Sequence, residues 1–286
     1  MLGLIYKTTT LEPGLFLVST PIGNSRDITL RALDVLASAD VLAAEDTRTL
    51  RKLMDIHGVP LDNRRLLSYH DHSKDHERAK ILDHVKGGKS VAYASEAGTP
   101  LIADPGYKLV ADCVRAGGKV LPVPGPSAAV AAISVAGLPT DRFLFAGFLP
   151  TTSSARKSAL QDILGSAATS IIYESPKRLS AFAQNLIAVA GANHPVVMCR
   201  EITKRFETYE HHTAQSLSEL PPQKGEVVLV LGAKTDATAS DFDVDTALRN
   251  AMLTMRVKDA VETVSGSLGL PKRDVYQRAL ELAGKK

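Results

Sequence analysis

The chain has 286 residues, 44% hydrophobic and 23% charged, with a net charge of +3. That balance excludes a disordered or strongly polyionic chain and leaves room for two domains and a small third. No stretch reaches the roughly 18 apolar residues of a membrane span, no apolar core followed by a cleavage site opens the chain, and two cysteines, Cys113 and Cys199, make no disulfide framework. The expectation is a cytoplasmic protein with no membrane partner, and with both cysteines as small buried hydrophobes.

The charge is uneven. Residues 249–286 hold eight basic and four acidic side chains, which leaves 26 basic and 27 acidic ones on the rest. A basic tail on a neutral body suits a polyanionic partner, and a solvated helical surface explains it equally well.

Taken in order, Leu15–Ser19 reads as a strand, followed by Thr20-Pro21-Ile22-Gly23-Asn24, with Asp27 as the N-cap of an Ile28, Leu30, Leu33, Leu36 stripe. Val41–Ala44 is a second strand ending in Glu45-Asp46-Thr47-Arg48, with Thr47 capping a helix to about Ile56. Leu66–Tyr69 is a third, ending in His70-Asp71-His72, and Ser73 caps a helix that stops at Gly87-Gly88. Val91–Ser95 is a buried strand, broken by Glu96–Gly98 and running through Asp104-Pro105-Gly106 into a helix over Tyr107–Ala116. Val120–Val123 and Pro124-Gly125-Pro126-Ser127 complete this half. Strands spaced by helices in this way predict a parallel sheet covered on both faces, with ligand-binding loops at the carboxyl ends of its strands.

A small-residue helix, Ser127–Ala136, and a connector, Gly137–Arg142, lead into a second half. There strands at Phe143–Phe148, Ser170–Tyr173, Pro195–Cys199 and Val227–Leu231, with an antiparallel partner around Phe206 and Tyr209, predict a mixed sheet. Polar Ser153–Leu164, carrying Arg156 and Lys157, is a helix, and another ends near Ala190. Thr235–Asp245 reads as a linker. Beyond it, Val257, Ala260, Val261 and Val264 form one helical stripe and Val275, Ala279 and Leu280 another, with Lys272 and Arg273 at its start. This pattern is that of a helix-turn-helix or, the commoner arrangement, a plain helical hairpin packed on the body. The domains expected are 1–126, 127–235 and 246–286.

Several familiar motifs fail. No Gly-x-Gly occurs, and Lys86-Gly87-Gly88-Lys89-Ser90 imitates a phosphate-binding loop but has Asp83 where a glycine is needed and precedes a strand. The loops hold too little glycine to wrap a pyrophosphate, so a cofactor without phosphates suits them better. His70-Asp71-His72 lacks further ligands at metal-site spacing and is read as a candidate for substrate contact, with no metal expected.

Thr20–Asn24, Glu45–Arg48, Ser95–Pro100, Asp104–Gly106 and Pro124–Ser127 together resemble the tetrapyrrole methylase superfamily. With Gly137–Phe143, Tyr173-Glu174-Ser175 and Arg200-Glu201-Ile202-Thr203-Lys204, the chain is similar, more narrowly, to the ribosomal RNA small subunit methyltransferase I family, although Glu96 stands where that family usually has Asp. The resemblance implies two α/β domains with an S-adenosylmethionine cleft between them, a small C-terminal helical domain, and a homodimer. It further implies methylation of the ribose 2′-oxygen of a cytidine in the decoding region of 16S rRNA, as free RNA or within the small ribosomal subunit. Assigned to the cofactor are Pro21, Ile22, Gly23, Ser95, Glu96, Ala97, Gly98, Thr99, Pro100, Ile102, Ser127 and Ala128, because small residues let backbone approach a ligand. For the chemistry, Glu45, Asp46 or Glu174 would accept a hydrogen bond or proton, and Arg48, Arg200 and Lys204 would hold phosphates or the developing alkoxide. The alternatives are a precorrin-type tetrapyrrole C-methyltransferase and a non-enzymatic RNA-binding protein.

Overall fold

The computed structural model describes residues 6–70, 73–233, 241–253, 255–268 and 270–283, with the side chains of 241–243 and 267–268 set aside. The chain divides into two compact units between Gly232 and Ala233.

The first unit begins with β1 (Gly14–Val18), α1 (Leu30–Ser38), β2 (Val41–Ala44), α2 (Thr47–Ile56), β3 (Arg65–Ser68), α3 (Asp75–Lys86), β4 (Ser90–Ala94), α4 (Tyr107–Arg115) and β5 (Val120–Val123). The strands form one parallel sheet in the order β3-β2-β4-β1-β5. Strand alternation sorts its two faces. Phe16, Val18, Leu42, Ala44, Ala92 and Ala94 pack under α1 and α2, while Leu15, Val41, Ala43, Val91 and Tyr93 pack under α3 and α4.

The capping differs from the sequence expectation at three helices. Asn24 caps a short 3-10 turn at Ser25–Asp27, and Thr29 caps α1, so Asp27 is not the cap. Asp46, one residue before Thr47, caps α2 by accepting from the N–H groups of Arg48 and Thr49. Ser73 is a turn residue that accepts from the N–H of His70, and at the start of α3 the Glu77 carboxylate accepts from the N–H of Lys74. At α1 and α2 a polar residue placed to reach the first free N–H groups is the cap, whereas at α3 no N-cap side chain caps and Glu77 reaches back from the first turn.

The rest of this unit is α5 (Ala128–Val135), β6 (Phe143–Phe148), α6 (Ser153–Leu164), β7 (Thr169–Glu174), α7 (Leu179–Ala190), β8 (Pro195–Arg200), β9 (Thr208–Thr213), α8 (Ala214–Ser218) and β10 (Val227–Leu231). Its sheet is mixed, in the order β6-β7-β10-β8-β9, with only β6 and β7 parallel. Helices α6, α7 and α8 cover one face. Helix α5 covers the other through Ala129, Ala132 and Ile133 against Ile171, Val197, Val228 and Val230. Phe206 lies before β9, and α8 has no counterpart in the sequence reading. Both cysteines are buried and free, as expected.

The second unit is α9 (Asp241–Met252), α10 (Val257–Leu268) and α11 (Lys272–Ala283) around Val244, Leu248, Val261, Val264, Val275, Ala279 and Leu282. Three helices with a shared core replace the expected plain hairpin, and α9 begins inside the stretch read as a linker, of which 235–240 lie outside the described residues. Leu280 is half exposed, and Leu282 holds the core position expected of it. Among the described residues no helix is long and apolar enough to cross a membrane.

Candidate active site

The loops after β1, β4 and β5 are tied together at the carboxyl end of the parallel sheet. Thr20 and Gly98 exchange two backbone hydrogen bonds of 2.9 and 3.0 Å. The Thr20 hydroxyl donates to the Ser95 carbonyl, and the buried Ser95 hydroxyl donates to that of Gly98 at 2.9 Å. The Thr99 hydroxyl donates to the Pro126 carbonyl at 3.0 Å and accepts from the hydroxyl of Ser19. Beyond Thr99 the loop is strained: Leu101 and Ala103 have φ of 72° and 60° without being glycine, which costs about 1–3 kcal/mol each and persists only where the surroundings enforce it.

These loops form one wall of a cavity of about 300 Å³, through Ile22, Ala97, Gly98, Thr99, Ile102, Ala103, Asp104, Ser127 and Ala128. The ends of β6, β7 and β10 form the other wall, with Phe148, Tyr173, Glu174, Val227 and Val228 at its centre. Tyr173 meets Phe145 and Phe148 edge-on, with centroids 5.0 and 5.6 Å away. Burial pushes its hydroxyl above the ordinary tyrosine range.

Charge in this cavity has one sign. Asp104, Glu174 and Glu226 line it, and among the described residues no lysine, arginine or histidine does. The Glu174 side chain is fully buried; one oxygen accepts from Arg178 Nε at 2.6 Å and from the Ser175 N–H at 2.7 Å, while Oε2 has no partner among the described residues. Such a lining suits a cationic ligand with apolar parts and is hostile to a phosphate. A sulfonium donor with an ammonium group fits it.

The remaining residues expected at the site lie around this cavity. Pro21 is half-buried and Gly23 exposed in the β1 loop; Ser95 and Pro100 are buried behind the wall, and Glu96 is exposed beside it. The N–H of Glu96 donates to the Glu45 carboxylate at 3.2 Å, which joins the β2 and β4 loops. Asp46 is engaged by the α2 N–H groups and by Arg48, whose hydrogen bond holds its carboxyl down at about 2. Arg48 is exposed and paired with Asp46. Arg200 on β8 and Glu174 on β7 flank Val227 of the intervening β10, and the Arg200 Nε is buried without a partner among the described residues. Lys204 bridges Glu201 and Glu226 at 3.1 and 3.0 Å.

A clasp joins the two walls. Asn24 N–H donates to the Thr203 hydroxyl at 3.1 Å, and Gly23 lies so close to the 202–204 turn that a Cβ there would meet Lys204 Cγ at 2.6 Å and Thr203 Oγ1 at 2.7 Å. Glu201 and Thr203 hold φ of 52° and 63° in that turn. The sequence reading missed Ile202 and Gly225–Val228 as wall residues. The Arg200–Lys204 motif and Gly225 were the local signals near this corner, and in the structure Gly225 has φ of +90° with Glu201 packed against it. Among the described residues no group of three or more His, Cys, Asp or Glu could hold a metal ion; Asp71 and His72 lie outside them.

The pattern of the "Tetrapyrrole (Corrin/Porphyrin) Methylases" matches residues 14–218. The chain belongs to the tetrapyrrole methylase family. Within that family it is 42% identical to ribosomal RNA small subunit methyltransferase I of Mesorhizobium japonicum over 95% of this chain and 93% of the relative. It is 41% identical to the Vibrio cholerae protein of the same name over 95% and 96% of the two chains. It is thus a tetrapyrrole-methylase-family methyltransferase of the small subunit methyltransferase I branch. The "RsmI C-terminal HTH domain" matches residues 238–283, the stretch that holds α9–α11. Among solved structures, diphthine synthase has a TM-score of 0.60 at 18% identity, covering 76% of this chain and 89% of its own. A cobalt precorrin-4 methyltransferase has 0.57 at 19%, covering 76% and 94%. At such identities these two carry the methylase fold alone.

Proposed function

We propose that this methyltransferase uses S-adenosylmethionine to methylate the ribose 2′-oxygen of a cytidine in the decoding region of 16S rRNA, acting in the cytoplasm as a homodimer. The reading is carried by the acidic, small-residue cavity between the two sheets of the first unit. The relatives named for the small ribosomal subunit and the helix-turn-helix match direct it to RNA. When bound, S-adenosylmethionine supplies an electrophilic methyl group on a sulfonium cation.

The residues of the chain do the rest. Backbone at Ala97, Gly98 and Thr99, with Ile22, Ile102, Ser127 and Ala128, forms a close apolar bed, and Asp104, Glu174 and Glu226 attract positive charge. Phe148 and Tyr173 offer ring faces and edges to a planar base. Displacement at carbon needs alignment above all, and holding two reactants in line contributes about 7–11 kcal/mol where the fit is good. On this reading Glu174 accepts the hydroxyl hydrogen through Oε2, which has no partner among the described residues, while Arg178 fixes its other oxygen. Arg200 and Lys204 on one side, and Glu45 with Arg48 on the other, are proposed to position the RNA and balance charge at the reacting oxygen.

The test is to incubate the protein with methyl-labelled donor and either small ribosomal subunits that lack the modification or a uroporphyrinogen-type tetrapyrrole. Label on a cytidine ribose is expected. Label on a tetrapyrrole carbon would overturn the reading.

A further inference from the structure

A second cleft, of about 540 Å³, lies between α6 and α7 on the face of the mixed sheet away from α5. Its charge is the reverse of the first. Arg156, Lys157, Lys177 and Arg178 line it, and among the described residues no acid does. Arg156 is 2% exposed, yet among the described residues its guanidinium has only carbonyl partners, Pro150 from Nε at 3.1 Å and Thr151 from Nη2 at 2.8 Å. Among the described residues, Arg178 alone of the four has a carboxylate partner, Glu174. The first turn of α6 adds to the field: its N-cap Thr152 makes no side-chain cap bond and no acid follows it. Two carbonyls satisfy part of the Arg156 guanidinium's hydrogen bonding but leave its charge without a neutralising anion among the described residues.

We infer that this cleft is a phosphodiester-binding site that grips the RNA backbone next to the nucleotide to be methylated. The inference rests on the reading of RNA as the substrate. Planar, always charged arginine and flexible lysine are the side chains that hold phosphate oxygens. The two cavities share a wall: Arg178 lines the basic cleft and donates to Glu174, which lines the acidic cavity. In this arrangement a backbone phosphate is held at Arg156 and the two lysines, and the neighbouring ribose is to reach Glu174 across that shared wall. Donor and acceptor are sorted by charge, the cationic donor into one hollow and the anionic strand into the other.

Lys157 and Lys177 are exposed, so Lys157→Ala with Lys177→Ala tests the site without disturbing the fold, whereas Arg156 holds two carbonyls and its loss would also loosen the loop. The probe is the unmodified small ribosomal subunit, with affinity, KM and kcat measured across salt concentrations. Each lysine–phosphate pair removed should weaken binding roughly tenfold at about 0.1 M salt and flatten the log–log salt slope by about 0.7–0.9. S-adenosylmethionine affinity should not change, and a control, Lys80→Ala with Lys86→Ala on α3, should keep wild-type affinity and slope. A cleft variant that binds and methylates subunits with wild-type KM and slope overturns this inference and leaves the RNA reading standing. A wild-type protein that neither binds nor methylates subunits overturns both.

Discussion

Gly23→Ala is a one-carbon change that probes whether the clasp sets the width of the cavity. The added Cβ would lie 2.6 Å from Lys204 Cγ and 2.7 Å from Thr203 Oγ1, closer than real Cβ atoms come, and at a tight 3.1 Å from the Ile202 carbonyl. Gly23 does not hold a positive φ, so the backbone itself accepts alanine. Loss of chain entropy in the unfolded state favours the variant by about 0.4–1 kcal/mol. Overpacking opposes it by about 1–3 kcal/mol. The clash can be relieved by pushing the 202–204 turn away, which breaks the Asn24 to Thr203 hydrogen bond and moves Ile202, a wall residue, relative to Ile22. A net misfit near 1.4 kcal/mol, felt in the liganded geometry, corresponds to about tenfold in affinity. Calorimetric titration with S-adenosylmethionine should therefore give a Kd about tenfold weaker than wild type, with far-UV circular dichroism unchanged. An unaltered Kd in a folded variant would refute the idea that this clasp sets the cavity.

Three further outcomes are expected. Glu174→Gln keeps the shape of the side chain but not its charge; it should cost about 1–3 kcal/mol in urea unfolding through the weakened bond from Arg178, and should lower kcat by about a hundredfold or more with donor affinity kept within a few-fold. Wild-type turnover in that variant would remove Glu174 from the chemistry. The hydrogen bond from Arg48 holds Asp46 at about 2, below its unfolded value near 3.9, so the α2 cap is fully present above that range and is lost only as pH falls toward 2. Asp46→Asn, which still caps, should leave the pH–rate profile above about pH 4 unaltered; a displaced acidic limb would show that Asp46 titrates in the reaction. Burial pushes the Cys199 thiol up to about 11 and that of Cys113 above its usual value. Native protein at pH 8 should then leave an aromatic disulfide reagent almost unreacted until urea exposes both thiols, and rapid native labelling would contradict the buried placement.

Much of the fold could be read from local pattern. Phe143–Phe148, Ser153–Leu164 and Val227–Leu231 occupy the predicted spans because apolar period and breaker residues agree there. Caps were read less well, since Asp27, Thr29 and Asn24 compete within a few residues and only the path of the chain decides which oxygen reaches free N–H groups. Helix α9 was hidden by an acidic, turn-like composition, and its burial of Val244 and Leu248 depends on α10 and α11. Motif residues placed the β1, β4 and β5 loops near one another, as the Thr20–Gly98 pairing and the Thr99 to Pro126 bond record. On the opposite wall Glu174 was named from its motif, but its placement was out of reach because that wall is assembled by register: Glu174 and Arg200 flank Val227, from strands distant in sequence. Arg156 and Lys157 looked like an ordinary polar helix, and nothing local distinguishes the buried arginine from the exposed lysine beside it.

The most direct test of the account is mass mapping of 16S rRNA from cells with and without this protein, followed by restoration with the purified protein and S-adenosylmethionine. The account predicts that one ribose methyl on a cytidine of the decoding region disappears and returns, and that Glu174→Gln fails to return it. An rRNA methylation map that is identical with and without the protein would contradict it.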